Sequence, residues 1–294
     1  MARQIADWRS DALGPARTLE FDGGRMRAHV TGDGPTIVFV HGALVNANLW
    51  RKVVPLLDGF TRVALDLPLG SHLIPMPARK LTPPDAAALI GEAVTALGLD
   101  DVTLVGNDTG GALCQLAAAP RPDWLGRLVL TSCDAFEHFP PEMLRPVLPL
   151  LKRPAVLAVV MQSLRLRALR PTRAAYGLAV HTPIPHEATD SYVRPVIEQR
   201  AIRADFCRLL ADIAPHHTLA AAEQLRSFDR PALIAWSSDD EFFPRSDAER
   251  LAETIPNARL EWIEGARTFS SEDRPQRLAE LIAGFVREPV GGAA

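Results

Sequence analysis

Apolar positions along this chain fall into short continuous runs separated by helically spaced sets. Thr-Ile-Val-Phe-Val at 36–40, Arg-Val-Ala-Leu-Asp-Leu at 62–67, Val-Thr-Leu-Val at 102–105, the run at 127–131 and Pro-Ala-Leu-Ile-Ala-Trp at 231–236 have the length and composition of buried strands. Between them, 86–97 spaces Ala, Leu, Ile and Val helically behind Pro83-Pro84-Asp85, and 111–119 continues a Gly-rich turn as a small-residue helix. Two shorter strands at 17–21 and 25–31 flank Asp22-Gly23-Gly24, a hairpin signal. A helix near 247–254, a strand near 259–263 and a helix over about 275–286 complete the pattern. Strands buried along their whole length and alternating with helices predict a mostly parallel sheet covered on both faces. The alternation lapses over 137–226, which has helical but no strand patterning. The expected organisation is therefore one α/β domain, 1–136 with 227–294, interrupted by a helical insertion at 137–226.

Gly106-Asn107-Asp108-Thr109-Gly110-Gly111 joins a predicted strand to a predicted helix. A side chain exposed at such a turn needs strained backbone and very small neighbours, and Gly106 and Gly110 flank Asp108 at two residues on each side. Asp108 is thus a candidate nucleophile at the start of a helix, beside free backbone N–H groups. The alternative is an aspartate that merely caps the helix. His41-Gly42-Ala43-Leu44 follows an earlier strand, where the N–H of Ala43 can turn toward the elbow. With the N–H of Thr109 it would form an oxyanion hole. His41 itself reads as a residue that fixes this loop rather than as a base.

These two motifs, the strand–helix alternation and the mid-chain insertion resemble the α/β-hydrolase superfamily, and within it the aspartate-nucleophile branch of haloalkane dehalogenases and epoxide hydrolases. The resemblance runs from about residue 19 to 287. It implies an α/β-hydrolase fold: a mostly parallel eight-stranded sheet flanked by helices, with the insertion after the sixth strand serving as a cap over the site. It also implies an acid in a late G-x-x-D-x-x-x-P-like segment, which points to Asp240 in Ser237-Ser-Asp-Asp240-Glu-Phe-Phe-Pro244. Asp134, at the end of the preceding strand, is the alternative acid. Where the branch has its histidine, in Glu264 to Pro275, this chain has Thr268, and no histidine follows His217. A replacement base would have to be His72, His138 or His181, each of which also reads as a surface residue. Arg267 cannot serve, because a guanidinium stays protonated. Dehalogenases hold the halide with an Asn and a Trp at positions that are Ala43 and Thr109 here, although the stretch ending Leu49-Trp50-Arg51 matches that group and makes Trp50 a substrate-binding candidate. Tyr176 and Tyr192 are the candidates for the pair that protonates an epoxide oxygen.

The remaining composition narrows the function. With 294 residues, a formal charge of -3 and no Lys/Arg-rich run, a polybasic nucleic-acid binder is excluded. Cys114, Cys133 and Cys207 form no metal-ligand spacing, and the charged N-terminal stretch is unlike a secretion signal, so a cytoplasmic protein without membrane attachment is expected. No phosphate loop or dinucleotide fingerprint is present, so no cofactor or metal is expected. Arg165, Arg167, Arg170 and Arg173 read as the solvated face of an insertion helix. The expected partner is a small, largely apolar substrate, handled by a monomer or homodimer. Three classes stay open at this point: a hydrolase with an atypical triad, a non-hydrolytic isomerase, lyase or cyclase using Asp108 as acid or base, and a ligand-binding protein without turnover.

Overall fold

A computed structural model of the chain describes residues 7–288, so the first six residues of the N-terminal stretch read above lie outside it. Its strands are β1 (Ala16–Phe21), β2 (Gly24–Thr31), β3 (Thr36–Val40), β4 (Thr61–Asp66), β5 (Val102–Asp108), β6 (Leu125–Cys133), β7 (Ala232–Ser237) and β8 (Ala258–Ile263). They form one sheet in the order β1-β2-β4-β3-β5-β6-β7-β8. The hairpin strands β1 and β2 join the edge antiparallel, and every pairing from β4 to β8 is parallel. The burial of the strands follows their place in that order. β5 and β7 are buried almost throughout, whereas β1 at one edge and β8 at the other are mostly half-buried or exposed. That gradient is why the central strands read as unbroken apolar runs.

Helix Pro83–Ala96 begins three residues earlier than its apolar spacing predicts. Thr82 caps it, with the Asp85 N–H donating to Thr82 Oγ1 and the Thr82 N–H donating to Asp85 Oδ2, and the two prolines occupy first-turn positions that need no N–H partner. Helix Thr109–Ala118 likewise starts two residues early, because β5 runs straight through Asp108 into it. Between β6 and β7 the chain is helical, with Pro154–Ser163, His186–Glu198, Arg200–Asp212 and Pro215–Leu225 as its longer helices and no strand. Polar contacts tie this insertion to the loops beyond the C-terminal ends of the sheet strands. Asn46 Nδ2 donates to the Ser191 carbonyl at 3.1 Å, Ser71 Oγ to the Tyr192 carbonyl at 2.6 Å, and the Phe269 N–H to the Ala179 carbonyl at 2.9 Å. The insertion therefore lies over the edge of the sheet where α/β folds place their sites.

Candidate active site

The turn after β5 has the strained geometry that its glycines suggest. Asp108 sits at φ 53° and ψ -134°, a conformation that a residue with a Cβ rarely adopts, and Thr109 is already helical. Two backbone approaches hold it there. A Cβ on Gly110 would lie 2.3 Å from the His41 carbonyl oxygen, so the helix start touches the loop after β3 backbone to backbone. A Cβ on Gly42 would lie 2.1 Å from Asp108 Oδ2, so only glycine leaves room for the carboxylate. Asp108 keeps part of its surface accessible, while Thr109 and Gly110 are buried.

The loop after β3 is fixed from the other side by His41. This fully buried imidazole accepts from the Leu67 N–H through Nε2 at 3.0 Å, which leaves Nδ1 to donate to the Gly42 carbonyl at 2.8 Å. Burial pushes its pKa down to about 4, so it is neutral at physiological pH and serves as a brace, as the sequence suggests. Leu44 then turns at φ 55°, and its carbonyl accepts from the Tyr176 hydroxyl of the insertion at 2.7 Å.

Three carboxyl groups meet around the elbow, Asp134 buried and Asp108 and Asp240 half-buried. Loss of hydration is the largest influence on Asp108 and pushes its pKa up to about 7. The Asp240 charge adds to that, and hydrogen bonds from the backbone N–H groups of Thr109 and Ala43 oppose it. Those two N–H groups thus act on the carboxylate from beside the elbow. Asp240 is held by its own turn, with Oδ1 accepting from the Phe242 N–H at 2.7 Å and the Phe243 N–H at 3.0 Å, and desolvation raises its pKa. Asp134 lies directly after β6, whose Cys133 is in register with Asp108. Its burial and the Asp108 charge drive its pKa well above the usual carboxylate range, and neither carboxyl oxygen has a hydrogen-bond partner among the described residues.

Thr268 is buried and donates from Oγ1 to Asp240 Oδ1 at 3.0 Å. Its carbonyl accepts from Asn107 Nδ2 at 2.8 Å, which places residue 268 beside the elbow. Asn107 escaped the sequence reading although it sits inside the elbow motif. Its amide also donates to Thr131 Oγ1 at 3.0 Å, so one side chain joins β5, β6 and the loop after β8. The three candidate replacement bases all pair elsewhere: His72 with Asp205 at 3.0 Å, His138 with Asp247 at 2.7 Å and His181 with Asp239 at 2.9 Å. Trp50 is fully buried, its ring 5.0 Å from that of Phe39 on β3, and its indole N–H has no hydrogen-bond partner among the described residues. Tyr176 and Tyr192 do come together, with ring centroids 5.7 Å apart, and burial raises both phenol pKa values. The Tyr192 ring stands beside the charge pair of Arg51 with the buried Glu272, the Glu that precedes Pro275 by three residues.

The sheet order agrees with what most of the sequence matches. Residues 37–281 match the Alpha/beta hydrolase family. The chain belongs to the alpha/beta hydrolase family. It is 27% identical over 290 residues to the uncharacterized hydrolase YugF of Bacillus subtilis, covering 94% of this chain and 100% of that protein. To haloalkane dehalogenase 2 of Mycobacterium tuberculosis it is 29% identical over 291 residues, covering 92% and 95%. The hydrolase fold is shared with a mutant form of haloalkane dehalogenase DatA from Agrobacterium tumefaciens, at a TM-score of 0.80 and 20% identity over 95% of this chain and 100% of that one. It is also shared with the epoxide hydrolase CorEH, at a TM-score of 0.76 and 23% identity over 92% and 98%.

Proposed function

We propose that this alpha/beta hydrolase acts on a small, largely apolar electrophile by nucleophilic attack of Asp108, with the helical insertion as the cap over the site. The supporting observation is the Asp108 turn itself: a strained φ of 53° and a glycine that leaves space for the carboxylate, with the N–H groups of Ala43 and Thr109 favouring its charged form. One carboxylate oxygen attacks carbon while those donors orient the other. Among substrates, an epoxide suits the residues better than a haloalkane. Ala43 offers no side-chain donor to a departing halide, whereas an epoxide oxygen stays on the product and takes its proton from a cap phenol, Tyr176 or Tyr192. Attack opens the ring, the C–O bond electrons go to oxygen, and an ester to Asp108 forms. In this reading Asp240 is the triad acid, Asp134 its alternative, and Thr268 holds the histidine position. A threonine hydroxyl hydrogen-bonds to Asp240 but cannot take a proton from water near neutral pH, so the ester is long-lived.

Intact-protein mass after incubation with an epoxide panel tests this. Wild-type protein is expected to gain the mass of one whole epoxide, at a rate that rises with pH through about 7 as Asp108 ionises. Asp108→Asn is expected to gain nothing. A second reading has its own support: a carboxyl titrating at about 7 is matched to acid–base work at neutral pH, as an isomerase or lyase would need. Turnover without hydrolysis and without adduct would favour it, and neither adduct nor turnover would favour a binding protein.

A further inference from the structure

Eight of the ten large apolar side chains exposed among the described residues lie between Met143 and Leu169. Val159 is 72% exposed, Leu166 63% and Leu150 50%. Within this stretch, helix Pro154–Ser163 buries Leu157 and Met161 against helices His186–Glu198 and Arg200–Asp212. Val159 lies about 200° round the helix from Leu157, on the face turned away from those neighbours. An apolar face of this kind on a water-soluble fold marks something that covers it.

The charge along the same stretch of chain says what. From Met143 to His186 there are seven basic residues and no acidic one, in a chain whose net charge is -3. Arg167 and Arg170 are neutralised by Asp190, and Arg173 by Glu241. Arg145, Lys152, Arg153 and Arg165 have no carboxylate partner among the described residues. Lys152 instead donates to the Ala211 carbonyl at 3.0 Å and Arg165 to Gln162 Oε1 at 2.6 Å. The sequence pattern reads Arg165, together with Arg167, Arg170 and Arg173, as a solvated face. Exposed Leu and Val between them change that, because a solvated face does not need eight large apolar side chains.

We propose that this face of the insertion docks on an anionic lipid surface, with Leu150, Val159 and Leu166 entering the headgroup layer and the unpaired cations meeting lipid phosphates and carboxylates. No described helix is long and apolar enough to cross a membrane, so the contact lies in the interfacial plane. A second copy of the chain would fit less well, since a symmetric contact would bring the four uncompensated cations of one copy against those of the other. The same segment runs on to Tyr176, which bonds the loop after β3. Docking therefore turns the roof of the site toward a phase in which small apolar molecules concentrate. The docking itself does not depend on the proposed chemistry of Asp108.

Co-sedimentation of the full chain with phosphatidylcholine vesicles, with and without about 30% phosphatidylserine, tests the proposal. Partitioning is expected to rise about tenfold with the anionic lipid and to fall back at high salt. Val159→Asp with Leu166→Asp, and separately Arg153→Glu with Arg165→Glu, are each expected to lower it about fivefold with the melting temperature unchanged. Equal partitioning onto neutral and anionic vesicles, or none onto either, would overturn it. So would a concentration-dependent dimer in sedimentation velocity that Val159→Asp dissolves while vesicle binding is absent.

Discussion

On the proposed reading, Thr268 is the residue on which the chemistry of this site turns. Its hydroxyl bonds Asp240 as a histidine in that place would, yet it has no accessible pKa near neutrality, while an imidazole titrates near 6.5. General-base assistance accelerates a step by about 10²–10⁴-fold. Thr268→His is therefore expected to release as diol the ester that the wild type holds, followed by product formation after single-turnover labelling. Because Thr268 is fully buried, the larger ring should also cost about 1–3 kcal/mol of stability. An ester equally long-lived in both proteins would show that the missing base is not what limits the second step. Asp108 allows a test that needs no substrate. A carboxyl whose pKa is raised on folding keeps its proton after the unfolded chain has lost it. Stability therefore falls as pH rises from about 4 to about 7, the window between its ordinary and folded values. Asp108→Asn escapes that loss and should be more stable than wild type by about 2–4 kcal/mol at pH 8, with the gain vanishing near pH 4 in urea titrations. A difference independent of pH would place the Asp108 carboxyl in water rather than beneath the insertion.

At the scale of elements, the site is a contact between two turns. The loop after β3 and the start of helix Thr109–Ala118 approach so closely that each presents a glycine to the other, Gly42 to the Asp108 carboxylate and Gly110 to the His41 carbonyl. Gly42→Ala should accordingly abolish adduct formation, because a methyl group 2.1 Å from Oδ2 must displace either the carboxylate or the Ala43 N–H. Overpacking of this kind costs about 1–3 kcal/mol, which keeps the variant folded and lets its mass spectrum be read. Labelling of Gly42→Ala at the wild-type rate would mean that the approach of these turns does not matter to the reaction. The strained turn was legible in the sequence, since Gly106 and Gly110 around a single aspartate are a short-range signal, whereas the close approach of Gly42 to Asp108 was not. The longer contacts were not. Tyr176 reaches Leu44 across 132 positions, and each of His72, His138 and His181 is claimed by a carboxylate that no spacing rule points to. Helix starts shifted for a related reason. Apolar periodicity marks only the residues that pack, while Thr82 and its prolines begin their helix before the packing stripe starts.

Across the whole molecule, the sheet could be read from the sequence because its central strands are covered on both sides and so carry unbroken apolar runs. The insertion could be read only as helical, because Leu, Val and Ala over 143–169 look the same whether a neighbour covers them or not. Its unequal burial has a dynamic counterpart. Most of 142–174 is exposed, whereas helix His186–Glu198 is buried on nearly every side from Ala188 to Ile197 and helix Arg200–Asp212 buries one face. Amides of 142–174 should therefore exchange with deuterium far faster than those of β5, with the two later helices between them. Uniform protection across the insertion would show it to be as rigid as the sheet. A different kind of permanence attaches to Asn107. Its amide grips residue 268 by the backbone carbonyl and leaves the side chain there out of the bond. Position 268 is thus a socket whose address does not depend on what is plugged into it. On the proposed chemistry, one side-chain change at such a socket would exchange capture for turnover while Asn107 still holds the backbone carbonyl.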